Sequence, residues 1–314
     1  DGVSASLGGG ATTTMVQAPA LDQSNQAYED AVMIAQIFSG LVFAGLSIWM
    51  LFANGTKMSY IQKSSLEKRL QTCCFIDTYV GLMAAFFNIF QLTEVDNFLL
   101  PTQTQFTLDF ARPVEWLITC PMMQVVLVLM GGSRIPEYRR VLMPFLSLTV
   151  LVCGLVSMLL SDRGQRIIAY GIGFVIAMGM FALNAQQVVE HSNGEENLWT
   201  GDSEFRKASL LLIITWFPFP IWFAISPEGL GYIDNILIIQ MGWAFLNILA
   251  KFTFIFYIQR VKDNYCSRLK VKRELLGVMP GVDPSVEALA GMMGIAQAGP
   301  FADASKNREK ELAA

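Results

Sequence analysis

Seven apolar runs dominate this chain: 31–53, 71–92, 108–130, 141–160, 166–189, 208–226 and 233–258. Each is close to the roughly 20 residues that carry a helix across a bilayer. In hydrocarbon every backbone N–H and C=O must be satisfied internally, and a helix does this within its own segment. The expected fold is therefore an all-α membrane protein, a bundle of seven transmembrane helices. Polar, turn-forming stretches such as 131–136 and 226–231 separate the runs. Composition agrees: 53% hydrophobic residues against 15% charged lies far from the soluble average.

Several functional classes fall away at once. A net charge of -4 without a basic face gives nucleic acid nothing to bind. Four of the five cysteines (Cys73, Cys74, Cys120 and Cys153, but not Cys266) sit in apolar runs, as buried thiols do. The single histidine, His191, lies in a polar loop without ligand partners, so no zinc site is expected. Nothing points to an enzyme.

Basic residues sort by loop. Lys57, Lys63, Lys68 and Arg69 fill the first loop, Arg134, Arg139 and Arg140 the third, and Arg260, Lys262, Arg268, Lys270, Lys272 and Arg273 follow the last run. Acids mark the opposite side, with Asp22 and Glu29 before the first run, Glu94 and Asp96 in the second loop, and Glu228 and Asp234 in the sixth. The positive-inside rule then puts the N-terminus outside and the C-terminus in the cytoplasm of a multi-pass, plasma-membrane protein. The fifth loop, with Glu195 and Glu196, is acidic on the cytoplasmic side and runs against this sorting. The domain expectation is a flexible extracellular leader over 1–27 without the pattern of a signal peptide, a transmembrane domain over 28–262, and a cytoplasmic tail over 263–314, partly helical or disordered.

One charge inside these runs carries chemistry. Lys251 stands within the last apolar run, where an ionisable group is expensive and marks a function with a partner. A dry lysine also becomes a nucleophile toward carbonyls. Snorkelling toward the basic end two turns away is the competing reading, and this stretch alone balances the two. Candidate partners are few. In the third run Arg112 and Glu115 are three apart on one face, Thr119 continues that face, and Trp116 and Cys120 adjoin it. Pro121 frees a carbonyl there. The sixth run holds Trp216, Phe219, Pro220 and Phe223, and Asn247 lies one turn before Lys251.

The pattern Arg112-x-x-Glu115-Trp116-x-x-Thr119-Cys120-Pro121, Trp216-x-x-Phe219-Pro220-x-x-Phe223 and Asn247-x-x-x-Lys251 resembles the retinal site of microbial rhodopsins. The Thr-Cys-Pro triplet and the 227–231 loop resemble the channelrhodopsin branch, and the likeness covers about 28–262. It implies all-trans retinal bound as a Schiff base on Lys251. Glu115 would be the counterion, with Trp116 and Trp216 sandwiching the polyene and Thr119 and Cys120 beside it. Phe219, Pro220 and Phe223 would lie toward the ring. Members of such families commonly form dimers or trimers.

Four departures from that pattern shape the functional expectation. Asn247 stands where a second carboxylate is usual, so the nitrogen's positive charge is less stabilised and absorption should shift to the red. Val126, with Gln124 its polar neighbour, occupies the pump's proton-donor position. Along the second run Ala84 and Gln91 replace pore glutamates, leaving Asp77 as the acid beside Asn88. With Arg112 near the outer vestibule, such a path favours anions. Finally, Thr149, or Leu148 if the gap shifts by one, falls opposite Cys120 in place of an aspartate. The resulting expectation is a light-gated channel passing chloride, its pathway drawn from Arg112, Asp77, Ala84, Asn88 and Gln91. A cation channel and a photosensory rhodopsin signalling to a cytosolic partner remain the alternatives.

Overall fold

A computed structural model describes residues 23–55, 65–92, 111–132, 135–160, 162–190, 202–226, 229, 231–233 and 235–276. His191, Glu94, Asp96, Glu195, Glu196, Glu228, Asp234 and much of the leader and tail lie outside the described residues, and with them most of the acidic side of the loop-charge reading.

The helices are α1 Gln23–Gly55, α2 Ser65–Phe90, α3 Ala111–Gly131, α4 Glu137–Leu159, α5 Arg163–Glu190, α6 Asp202–Trp216, α7 Pro218–Ile225 and α8 Ile236–Leu276. Among the described residues, seven stretches are long and apolar enough to cross a membrane, from Met33–Asn54 through Leu237–Ser267. The sixth of them, Glu204–Ile225, comprises α6 and α7. The break between them has a covalent cause. Pro218 and Pro220 have no N–H to give to the carbonyls of Ile214 and Trp216, so the ladder fails for one turn. Neighbouring helices make such a break tolerable in a membrane.

Helices adjacent in sequence pack side by side, and α8 closes the bundle against α1, α2 and α6. Large apolar side chains such as Leu41, Phe86, Val141 and Phe245 are exposed on the outside, where lipid takes the place of water. The interior holds polar groups instead. Ser47 and Asn54 on α1, Asp77 and Asn88 on α2, Gln91 just after it, and Gln240, Gln259 and Lys262 on α8 are all buried. Gly81 allows α1 and α2 to meet closely there, because a Cβ at that position would fall 2.6 Å from Ser47 Oγ.

The last helix runs further than its hydropathy suggests. Its 41 residues span roughly 60 Å at 1.5 Å per residue, twice the hydrocarbon thickness. The expected boundary at residue 262 therefore falls within one continuous helix.

Candidate functional site

Lys251 is 2% exposed, held inside the bundle by α8, and its Nζ donates to a carboxylate oxygen of Glu115 on α3. It also donates to Asn247 Oδ1 at 2.6 Å, one turn earlier on its own helix. Asn247 Nδ2 lies 3.4 Å from each Glu115 carboxylate oxygen, closing a triangle of lysine, carboxylate and amide. A buried ion pair persists only when its remaining polar atoms are satisfied, and Asn247 satisfies both members. The Thr119 hydroxyl donates to the Glu115 carbonyl at 2.8 Å, fixing the turn that carries the carboxylate. Arg112 donates to Gln240 Oε1 at 3.1 Å and to Gln91 Oε1 at 3.2 Å, joining α3 to α8 and to the turn that follows α2.

From Lys251 an apolar cavity opens between α3, α4, α5, α6, α7 and α8. Trp116, Cys120, Trp216, Phe219, Pro220 and Phe223 all line it, as does Asn247. The walls are flat rings in contact. Trp116 meets Phe219 edge-on at 5.5 Å between centroids, and Tyr170 stacks on Phe223 at 5.6 Å and 10°. The Tyr170 hydroxyl donates to the Pro220 carbonyl, an acceptor within the proline-broken turn. On the α4 wall an added Cβ at Gly154 would meet nothing within 4 Å, so the slot has room there. An amine at one wall of an otherwise apolar, aromatic slot fits a long conjugated aldehyde and suits no polar ligand.

Three positions differ from the expectation. Thr119 does not line the slot, because its hydroxyl is turned to its own helix backbone. Thr149 likewise donates to Phe145 O at 2.8 Å on its own helix, and Leu148 is exposed. The α4 hydroxyl that lines the slot with Cys120 is Ser147, which is 2% exposed. The third position, Trp243, was missed altogether. It is fully buried, packs 5.1 Å from Trp116 and forms part of the wall. Its place four before Asn247 and eight before Lys251 puts it on their helical face, a phase readable from sequence.

The pathway residues are also placed. Asp77, Ala84 and Asn88 on α2, Gln91 just past its end and Arg112 on α3 are each at most 8% exposed, so all five face inward, away from lipid. Val126 is fully buried, and its carbonyl lies 3.8 Å from the Cys73 thiol. The Gln124 side chain points to Met180 Sδ at 3.7 Å.

Fold and site together define a class: a seven-span membrane protein with an interior lysine, paired to a carboxylate, at the wall of an aromatic slot. Residues 29–264 match the family described as bacteriorhodopsin-like protein, and the chain belongs to that family of microbial rhodopsins. Among its relatives, halorhodopsin of Halorubrum sodomense is 24% identical over 241 residues, 75% of this chain and 82% of that one. Bacteriorhodopsin-I of Haloarcula marismortui is 27% identical over 161 residues, 48% of this chain and 60% of that one. The proton pumping rhodopsin AR2 from the marine alga Acetabularia acetabulum has a similar solved structure, with TM-score 0.63 and 16% identity over 76% of this chain and 96% of that one. A halorhodopsin described as a light-driven chloride pump gives TM-score 0.61 and 14% identity over 74% of this chain and 96% of that one. At such identities the structural likeness establishes the fold alone. Members of the family are ion pumps or photoreceptors rather than enzymes, and they bind retinal through a Schiff base to a lysine. The lysine in this slot is Lys251.

Proposed function

We propose that this rhodopsin is a light-gated channel passing small anions, chloride first among them, and that it belongs with the channelrhodopsins. Retinal on Lys251 supplies light absorption and a change of shape within the slot. Glu115 and Asn247 hold the positive nitrogen before excitation, and Trp116, Trp216 and Trp243 fix the slot around it. Displacement of these side chains loosens α8 against α1, α2 and α3, whose facing positions are polar.

The observation that carries the reading is the buried α2 face. Ala84, Asn88 and Gln91 are inward and uncharged, and Gln91 accepts from the Arg112 guanidinium. Among the described residues this face carries Arg112 and the uncharged Ala84, Asn88 and Gln91 in place of a ring of carboxylates, which favours anions over cations. Apolar Val126 at the position of a pump's internal donor supports a channel over a proton pump.

The halorhodopsin relatives favour a second reading, an inward chloride pump. The place an anion would take beside the nitrogen is held here by Glu115, which weighs against it. Photocurrents recorded across a range of voltages separate the two. A channel current reverses sign at a potential that follows the chloride gradient, whereas a pump current keeps its sign at zero driving force.

A further inference from the structure

Gly132, just past the end of α3, holds two guanidinium groups against its backbone. Its φ of +62° is left-handed, a conformation that glycine adopts without strain. A Cβ there would overlap Arg69 Nη1 and fall 2.8 Å from Arg69 Cζ, so the guanidinium of this α2 residue rests directly on the glycine. Arg140 on α4 donates through Nη2 to the Gly132 carbonyl at 3.3 Å and through Nε to the Ile135 carbonyl at 3.1 Å. Two cations from different helices thus meet at one residue. Both are half-buried, and Glu137, one turn before Arg140, is exposed. Among the described residues no carboxylate pairs with either arginine. Arg69 Nε is buried and finds no protein partner. Arg140 spends two donors on carbonyls and keeps the rest of its five.

Like charges held together and partly out of water repel, and an anion that accepts from both forks removes that cost. We propose that Arg69 and Arg140, at the turn from α3 to α4, bind the phosphate of an anionic phospholipid. Planar guanidinium groups match phosphate oxygens two at a time, and α4 begins here, adding the positive end of its dipole. Depth points to a lipid rather than to a soluble phosphate. The spans that meet at this turn are Glu67–Phe90, Ala111–Gly131 and Glu137–Leu159. Arg69, Gly132 and Arg140 each lie within three residues of a span end, about 5 Å of helix, which is head-group depth. The exposed ring of Tyr138, whose hydroxyl accepts from Arg139 Nε at 3.0 Å, is the amphipathic kind that favours this level. Beside Arg140 an exposed apolar stripe begins, Val141, Phe145, Leu148 and Val152, spaced three or four apart along α4. A lipid whose phosphate sits on the arginines can lay an acyl chain along that stripe. None of the phosphate-site residues lines the retinal slot, so the site does not depend on which ion the protein moves.

The test is native mass spectrometry of the full-chain pigment in detergent, titrated with phosphatidylglycerol or with phosphatidylcholine. The wild type should retain phosphatidylglycerol in preference, and equal retention of the two overturns the proposal. Arg69→Gln should retain phosphatidylglycerol roughly tenfold more weakly, the worth of one charged hydrogen-bonding partner. Its absorption spectrum should match the wild type, which reports an intact bundle. Lys68→Gln removes the same charge from the exposed neighbour and should bind as the wild type does. Equal losses in Arg69→Gln and Lys68→Gln describe a diffuse basic surface and overturn the site. Arg69→Lys keeps the charge without the fork and should recover only part of the affinity; it decides the matter where Arg69→Gln forms no pigment, because full wild-type retention then contradicts the guanidinium site. Inorganic phosphate separates the two sources of the anion. It should fail to displace phosphatidylglycerol from the wild type, and displacement at concentrations comparable to the lipid's overturns the assignment to a phospholipid.

Discussion

Asn247→Asp is the most informative change at the site, because it adds one charge at a known distance and leaves the shape nearly untouched. Asn247 Oδ1 lies 2.6 Å from Lys251 Nζ. With an effective dielectric of about 20, a carboxylate oxygen at that distance stabilises the positive nitrogen by about 6 kcal/mol. Excitation moves positive charge away from the nitrogen along the polyene. Moving only a third of it out of reach raises the excitation energy by about 2 kcal/mol, from the same Coulomb arithmetic. The variant pigment should therefore absorb at shorter wavelength than the wild type, by tens of nanometres. The assay is the absorption spectrum of the purified pigment taken across pH, since the new carboxyl exerts this effect only when ionised. A spectrum that matches the wild type or lies to its red at every pH refutes the electrostatic account of Asn247.

Other outcomes follow from the same geometry. Trp243→Ala removes a fully buried ring from the slot wall and should cost about 3–5 kcal/mol, read as faster thermal bleaching; bleaching at the wild-type rate contradicts its place in the wall. Gln91→Glu puts a carboxylate against Arg112 and should lower chloride permeability relative to sodium, measured as a shift in reversal potential. Tyr257→Phe frees Glu204 from its hydroxyl donor between α8 and α6 and should lower stability by about 1 kcal/mol, read in thermal melts, without moving the spectrum. Lys251→Ala protein should form no coloured pigment with retinal.

Much of the bundle was legible because hydropathy and helix length answer to one constraint, the thickness of hydrocarbon. The lysine's partners were legible because they share single helical faces: Arg112 and Glu115 on α3, and Asn247 and Lys251 on α8. What escaped had specific causes. Hydropathy does not register a missing N–H, so 208–226 read as one helix although Pro218 and Pro220 divide it. A hydropathy window stops at the first charges, so 233–258 ended where Gln259 and Arg260 begin, although Leu, Lys, Arg and Glu sustain the helix to Leu276. The α4 residue facing Cys120 depended on a gap between two helices, and only packing resolves a slip of two residues, which brings Ser147 inward in place of Thr149. Lys262 was counted among the basic residues of the tail. Its burial depends on Asn54, 208 positions earlier, and no local pattern records that contact.

On the proposed function, light opens an anion path through this bundle. Its most direct test is the reversal potential of the photocurrent as external chloride is replaced by a large impermeant anion. An anion path gives a shift approaching ~59 mV per tenfold change in chloride, the electrical equivalent of about 1.4 kcal/mol per unit charge. A reversal that stays fixed as chloride changes and moves instead with sodium or protons contradicts it.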